Sequence, residues 1–250
     1  DRIAQRRGQD GRYLLANGMG AAMNQDEALS RAPWLIVPSL LQGHNSPDAR
    51  ILLALPVDIE ALAAQIAAFQ GTTAPRAETC TLTIFAGDHG IAEDGVSAYP
   101  QAVTRQMVLN FLAGGAASTV FAATLGIPVM VVDAGVAGPP LVHPDLVSRR
   151  TGPGTANFRL QPAMTGTEAD SALSAGREIG FSGAADAAAF GEMGIANTAA
   201  AAMLAHKITG LDLAPLVGRG TGLDDAGLAT KRRLLSEAAR GEGGILRNAD

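Results

Sequence analysis

The sequence predicts an α/β fold with a mostly parallel sheet, and three observations lead to this class. Two apolar runs, residues 81–86 and 127–132, each end abruptly in a polar turn that contains glycine, as buried strands often do. The residues between the two runs are numerous enough, and their apolar positions suitably spaced, for a helical crossover. Hydrophobic residues make up 47% of the chain and aromatic residues only 4%, so the core must consist of alanine, leucine, valine and isoleucine.

The first part of the chain gives weak signals until about residue 56. Glycine and proline punctuate residues 1–50, and only residues 34–37 resemble a buried segment. The pattern then becomes helical, since Asp58 can cap a helix and Gly71 can end it. The apolar residues of that helix fall on one face and are Ile59, Leu62, Ile66 and Phe69.

A strand–helix–strand unit follows. Residues 81–86 predict a strand, and Pro100 suits the first turn of a helix that runs to residue 125. That helix is either continuous or broken in two at Gly114 and Gly115. Residues 127–132 predict a second strand, buried on both faces. We expect the two strands to be parallel, with a right-handed crossover.

Start signals mark two further helices. Thr165 and Glu168 fit a capping box for a helix over residues 166–179. Asp224 opens the last helix, which we expect over residues 225–239.

The segment between these two helices is less regular. Residues 184–190 have little strand propensity although they precede a glycine-containing turn. An alanine-rich helix then extends to His206. Residues 216–217 predict a short strand that ends in a second glycine-rich turn.

Composition narrows the classes of function. The 250 residues allow one or two domains, and the net charge of −5 argues against nucleic-acid and anionic-membrane partners. A single cysteine, Cys80, forms no intrachain disulfide and excludes cysteine-based zinc sites. No signal peptide and no run of about 18 apolar residues is visible, so we expect a cytoplasmic protein. The local cationic cluster is interpreted as a solvated end and comprises Arg2, Arg6, Arg7 and Arg12.

Four polar, glycine-bearing turns are candidates for a shared site, because ligands bind beyond the carboxyl ends of parallel strands. These turns are residues 87–90, 133–135, 191–198 and 218–222. In the first of them, Asp88 and His89 form either an acid/base pair or a turn cap next to a hydrogen-bonded histidine, and the spacing alone favours the cap.

The last two turns carry distinct chemistry. Glu192 would repel a phosphate at a helix start, so it is better suited to a hydroxyl or a ring nitrogen. Gly218, Gly220 and Gly222 form a candidate phosphate cradle, to which Lys231 would add charge. The remaining histidines show no metal-ligand spacing, and the chain lacks P-loop, nucleophile-elbow and dinucleotide-binding motifs.

Several segments resemble one known family, the nicotinate-nucleotide–dimethylbenzimidazole phosphoribosyltransferases. They include Gly-Asp-His-Gly at residues 87–90 and Gly-Glu-Met-Gly-Ile-Ala-Asn-Thr at residues 191–198. The other matching segments are residues 95–104, 132–136, 154–158, 162–165 and 217–225. Their order and spacing also match, and the resemblance covers about residues 56–240.

The resemblance implies a parallel, Rossmann-like sheet flanked by helices, with a small helical domain that we expect to be incomplete. It implies a pentosyltransferase that moves the phosphoribosyl group of nicotinate mononucleotide to 5,6-dimethylbenzimidazole or a related base. The products would be α-ribazole phosphate and nicotinate. The resemblance also implies a homodimer that needs no metal and no redox cofactor.

Carried over residue by residue, the resemblance gives Glu192 a catalytic role. Tyr99 and Met107 correspond to positions in the base pocket that are polar in some relatives, which leaves the accepted base open. The implied substrate-binding residues are Asp88, His89, Tyr99, Met107, Gly194, Asn197, Thr198, Gly218, Gly220 and Lys231.

The sequence also departs from the family pattern. The family's general base is a glutamate in a Leu-Gly-Glu-Gly-Thr/Ser-Gly-Ala segment far downstream of the last matching motif, and these 250 residues do not contain that segment. Two hypotheses therefore stay open: an active phosphoribosyltransferase, and an inactive truncated or degenerate homologue that only binds nucleotide or base. We predict an atypical N-terminal segment over residues 1–55, a phosphoribosyltransferase core over 56–240, and a tail over 241–250.

Overall fold

The computed structural model describes the chain in two compact units, residues 1–76 and residues 77–250. The described residues are 3–8, 10–16, 18–41, 48–76, 78–182 and 185–241. Arg2 and residues 242–250 of the predicted tail lie outside them. The predicted domain limits stay predictions.

The first unit contains a closed five-stranded barrel with the strand order β1-β2-β3-β5-β4. Its strands are β1 (Ile3–Arg7), β2 (Arg12–Leu15), β3 (Gly20–Ala22), β4 (Trp34–Leu41) and β5 (Ala49–Pro56). Strands β3 and β5 pair in parallel, and the other pairs, including β1 with β4, are antiparallel. Alternate apolar side chains fill the interior, among them Ala4, Tyr13, Leu15, Leu35 and Val37.

Helix α1 (Ile59–Gln70) follows the barrel and has both of its predicted caps. The Asp58 side chain accepts a hydrogen bond from the Ala61 N–H at 2.9 Å, and Gly71 ends the helix with a φ of +64°. Two residues of the predicted apolar face, Leu62 and Phe69, are exposed.

The second unit contains a four-stranded sheet in the order β8-β7-β6-β9, in which every pair is parallel. Its strands are β6 (Cys80–Gly87), β7 (Val129–Gly135), β8 (Leu146–Ser148) and β9 (Ala187–Met193). This arrangement confirms the predicted α/β class with a parallel sheet. Strand β9 forms despite its low propensity because seven of its residues pair with β6.

Six α-helices belong to this unit in the described part of the chain: α2 (Ala102–Leu112), α3 (Ala117–Thr124), α4 (Gly166–Phe181), α5 (Asn197–Thr209), α6 (Leu213–Leu216) and α7 (Asp225–Arg240). A short 3-10 helix, Gly90–Asp94, follows β6. The predicted capping box of α4 is confirmed, with Thr165 and Glu168 bonding to each other's backbone N–H groups. The predicted strand at residues 216–217 is wrong. Residues 213–216 form the short α6 instead, because Pro215 has a φ suited to a first helical turn.

The apolar stretch 102–124 is weak evidence for a membrane span. By length and mean hydropathy (1.4) alone it could cross a membrane, and no other helix of the described residues meets that test. The chain is broken there into α2 and α3, with Gly114 at a φ of +72° between them. The break confirms the predicted alternative of two helices.

Two apolar clusters hold the second unit together. One joins α5, α6 and α7 through residues such as Met203, Leu213 and Leu235. The other packs Val108 of α2 against Val131 of β7. The clusters fix the glycine-rich turns that follow β6 and β9 relative to the helices.

Candidate functional site

The turns after β6 and β9 meet at one edge of the sheet. Ala86 pairs with Met193 at the carboxyl ends of these parallel strands. A Cβ added to Gly194 would overlap the Gly87 carbonyl oxygen and lie 3.1 Å from the His89 ring, so only glycine fits this position. The close approach places His89 beside the start of α5.

Thr104 holds the second of these turns in place, although sequence reasoning gave it no role of its own. This residue of α2 is fully buried, and its Oγ1 accepts a hydrogen bond from the Ile195 N–H at 3.0 Å. Ala196, the next residue, has a φ of +73°, a left-handed conformation that is costly for a residue with a Cβ. The strained residue directs the chain into α5.

Asn197, the first residue of α5, connects the two candidate acid/base groups. Its side chain lies near both His89 and Glu192 and influences the pKa of each. Desolvation raises the pKa of the Glu192 carboxyl, and the Asn197 amide opposes the shift. Burial lowers the pKa of His89, and the charge of Asp88 and the Asn197 amide oppose that shift. Glu192 is therefore a stronger proton acceptor than an ordinary glutamate, and His89 favours its neutral form.

Lys231 of α7 is a buried cation beside the start of α5. The residue has no exposed surface, and its Nζ donates to Thr198 Oγ1 at 2.7 Å and to the Gly218 carbonyl at 3.2 Å. Desolvation lowers the pKa of its ammonium group. An ammonium has three donors, so one N–H of Lys231 has no hydrogen-bond partner among the described residues, although the side chain lies beneath the surface.

An exposed glycine turn covers this lysine. Gly220 has a φ of +57°, and a Cβ there would lie 2.9 Å from Thr198 Oγ1 and 3.5 Å from the Lys231 Nζ. Ser97 Oγ lies 3.4 Å from Thr221 Oγ1 and links the turn to the segment before α2. Exposed backbone, a helix start and a positive charge together suit a phosphate group.

Asp88 faces a different environment from Lys231. It is almost fully buried, and its Oδ2 accepts a hydrogen bond from the Ala137 N–H at 2.7 Å. Its Oδ1 has no hydrogen-bond partner among the described residues. Asp88 and His89 both line a cavity of about 950 Å³, together with Gly154, Thr155, Pro162 and Met164.

The two predicted base-pocket residues lie on the same connection as Thr104. Tyr99 is exposed, and its N–H donates to Ser97 Oγ at 3.4 Å, next to the glycine turn. Met107 is half-buried on α2, one turn beyond Thr104. Within the described ranges, neither side chain takes part in the hydrogen bonds around Asn197 and Lys231.

A buried ion pair that sequence reasoning missed supports the turn after β7. Asp133 is fully buried and accepts hydrogen bonds from the N–H groups of Gly135 at 3.0 Å and Val136 at 2.8 Å. Arg150 Nη1 lies 3.0 Å from Asp133 Oδ2 and also donates to the Val136 carbonyl at 2.7 Å. The only sequence signal for this pair was the polar turn at residues 133–135.

The structure thus unites most of the predicted residues in one region, at the carboxyl ends of β6 and β9. No group of three or more His, Cys, Asp or Glu side chains is placed to hold a metal ion among the residues that the structure describes. The arrangement places a buried ammonium at Lys231, a carboxylate with raised pKa at Glu192, and an open cavity beside Asp88.

Residues 57–244 match a family model described as Phosphoribosyltransferase, and the chain belongs to this family. The most similar curated relatives include a nicotinate-nucleotide–dimethylbenzimidazole phosphoribosyltransferase from Aromatoleum aromaticum, which is 51% identical over 187 residues. That match covers 73% of this chain and 54% of the relative. A protein of the same name from Cupriavidus necator is 51% identical over 183 residues, which cover 72% of this chain and 53% of the relative.

Solved structures give the same result. CobT from Thermus thermophilus is 47% identical and superposes with a TM-score of 0.69, over 72% of this chain and 55% of that protein. The chain therefore spans about half the length of the relatives that it matches. The family resemblance predicted from the sequence motifs is confirmed, and so is the fold class.

Proposed function

We propose that this chain binds nicotinate mononucleotide and transfers its phosphoribosyl group to 5,6-dimethylbenzimidazole or a related base. The relatives carry this pair of substrates in their name. The observation that carries the proposal is the buried Lys231 beneath the exposed glycine turn. Its hydrogen-bond partner Thr198 follows Asn197 in α5, and Asn197 lies near Glu192. A phosphate and a ribose attached to it would occupy these two neighbouring positions.

The phosphate is bound from three sides in this proposal. The remaining N–H of Lys231 donates to one phosphate oxygen, and the Thr198 hydroxyl and the backbone N–H groups around Gly218 and Gly220 donate to the others. The start of α5 adds the favourable end of its dipole. Glycine at position 220 keeps the backbone accessible, because a side chain there would meet Thr198.

The transfer exchanges one C–N bond for another. A ring nitrogen of the benzimidazole attacks the anomeric carbon from the face opposite nicotinate, and the bond to nicotinate breaks with its electron pair going to the pyridine nitrogen. Positive charge builds on the ribose as the bonds exchange, and the nearby Glu192 carboxylate stabilises it. The benzimidazole then gives up its N–H proton to a base. In the family resemblance that base lies in a segment not contained in these residues.

The remaining residues orient the two rings. We propose that Tyr99 and Met107 contact the incoming base. Neutral His89, which packs against Gly194 in the turn after β6, faces the substrate. Asp88 lines the adjoining cavity. Holding both rings around one ribose supplies the orientation that this reaction needs.

We further propose a cytoplasmic homodimer. Exposed apolar side chains on α2 and α3, among them Leu109, Val120 and Phe121, support a subunit interface on these helices. Light scattering of the purified chain tests this point, and a monomer at high concentration would contradict it.

The function is tested by adding nicotinate mononucleotide and dimethylbenzimidazole to the full chain and measuring nicotinate and α-ribazole phosphate by chromatography. Calorimetric titration with the nucleotide alone is run in parallel. We expect binding and release of nicotinate. Binding without release would favour the inactive homologue that only binds nucleotide. No binding would contradict both hypotheses.

A further inference from the structure

A row of arginines crosses the outer surface of the N-terminal barrel. Arg7 of β1 pairs with Arg12 of β2, Arg12 pairs with Ala22 of β3, and Ala22 pairs with Arg50 of β5. Residues paired in register point to the same side of a sheet, so the three arginines stand in one line across four adjacent strands. Three strand spacings make this line about 14 Å long. All three side chains are exposed.

The sequence separates these arginines, and only the barrel brings them together. Arg50 lies far along the chain from Arg7 and Arg12, which the sequence placed in a solvated end. Residues 1–76 hold seven arginines and seven acidic residues, so this unit is neutral while the rest of the chain has the net charge of −5. The unit therefore has no overall positive charge, and its arginines form a local positive patch.

Two members of the row are available for an external anion. Arg12 Nε lies 3.7 Å from an Asp10 oxygen and 3.5 Å from an Asp48 oxygen, so its charge is partly compensated. Arg7 and Arg50 have no ion-pair partner among the described residues. A depression of about 420 Å³ on the same face is lined by Arg7 and Arg12 and also by the carboxylates of Asp10 and Asp48, which face Arg12.

The topology favours one kind of ligand. A closed five-stranded barrel in the order β1-β2-β3-β5-β4, with β3 parallel to β5, has the strand order of an OB-fold. OB-folds bind extended oligomers across the face of their second and third strands, and this arginine row crosses that face. Guanidinium groups prefer phosphates to neutral sugars. We propose that the barrel face Arg7–Arg12–Arg50 binds the phosphate backbone of a single-stranded nucleic acid.

The experiment measures fluorescence anisotropy of a labelled 12-nucleotide single strand, as DNA and as RNA, titrated with the full chain at several salt concentrations. We expect dissociation constants of roughly 10⁻⁴–10⁻⁶ M that weaken as salt rises. Each neutralised phosphate contributes about −0.7 to the slope of log K against log salt. The double variant Arg7→Gln/Arg50→Gln should therefore flatten the slope by about 1.4 units and weaken binding at low salt at least tenfold.

The controls separate this face from charge in general. Arg177→Gln removes one exposed arginine from α4 of the other unit and should leave binding unchanged. Arg7→Lys/Arg50→Lys keeps both charges and should keep most of the affinity, which also shows that the barrel tolerates substitution there. The proposal fails if the native chain does not bind at 50 mM salt, if the Gln variant binds as the native chain does, or if Arg177→Gln weakens binding equally. Binding of a neutral oligosaccharide in place of the single strands would also overturn it.

Discussion

Replacing Lys231 with methionine removes the buried charge beneath the glycine turn while nearly keeping the side-chain volume. In the proposed complex the remaining N–H of Lys231 donates to a phosphate oxygen. A hydrogen bond to a charged group contributes about 1.5–3 kcal/mol, and each 1.4 kcal/mol is a factor of ten. We therefore expect Lys231→Met to raise the dissociation constant for nicotinate mononucleotide by roughly 10- to 150-fold.

The same substitution should change stability much less than binding. The ammonium loses hydration on burial, which is why its pKa is lowered, and methionine removes that cost. Against this, Thr198 Oγ1 and the Gly218 carbonyl lose their Nζ donor, but both residues are exposed and water can replace it. We expect a change of about 1 kcal/mol or less in the free energy of unfolding, measured by chemical denaturation.

The matched control is Lys207→Met. Lys207 lies at the end of α5, and its Nζ donates to the Ala239 carbonyl at 3.3 Å, so this variant removes the same charge from the same helix pair. Calorimetric titration should give native affinity for this control. The reasoning is refuted if Lys231→Met binds the nucleotide within threefold of the native chain, or if both variants lose affinity equally.

Three further predictions concern neighbouring groups. Glu192→Gln should lower turnover. Because the pKa of Glu192 is raised in the folded state, that state binds more protons than the unfolded state, and the stability of the native chain falls as pH rises above 4.5. The variant should lose this pH dependence in thermal melts from pH 4 to 8. Gly194→Ala should destabilise the chain by about 1–3 kcal/mol through overlap with the facing carbonyl, whereas Gly176→Ala, in an open part of α4, should stabilise it by about 0.5–1 kcal/mol in urea denaturation. Arg150→Met leaves buried Asp133 without its cation and should cost about 3 kcal/mol by the same assay, and native stability would contradict the role given to this pair.

Local signals account for the parts of the fold that the sequence predicted well. The caps of α1 depend on Asp58, Ala61 and Gly71, and the capping box of α4 depends on Thr165 and Glu168. Each of these caps involves residues that are at most a few positions apart in the sequence, or the backbone angles of a single residue. Both partners of each cap are therefore visible in a short sequence motif.

Nonlocal pairing accounts for the parts that the sequence did not show. Strand β9 consists largely of alanine and forms through its pairing with β6. The barrel closes when Ile3 pairs with Ile36, and its β3 is too short for alternation to stand out. At residues 216–217 the apolar pair suggested a strand, but the preceding proline favoured a helical turn.

The candidate site also has parts that the sequence predicted and parts that depend on nonlocal contacts. Strand ends predicted that the turns after β6 and β9 would meet, and the glycine-rich turn does lie next to Lys231, while its role as a phosphate cradle stays a prediction. Thr104 and Arg150 could not be found by such reasoning, because each acts on a turn from a distant element. Asn197 was named from the resemblance, but its proximity to both His89 and Glu192 arises only in the folded chain.

The lowered pKa of Lys231 and the raised pKa of Glu192 explain how the site would favour the proposed reaction. Burial disfavours the charged form of Lys231, and local desolvation disfavours the carboxylate of Glu192 although this residue is exposed. The nucleotide brings an anionic phosphate to Lys231, and the reaction brings positive charge on the ribose to Glu192. Each charge is thus compensated only when substrate or transition state is present. Because the compensation at Glu192 grows as the glycosidic bond breaks, that interaction favours the transition state over the bound substrate, which is the condition for catalysis.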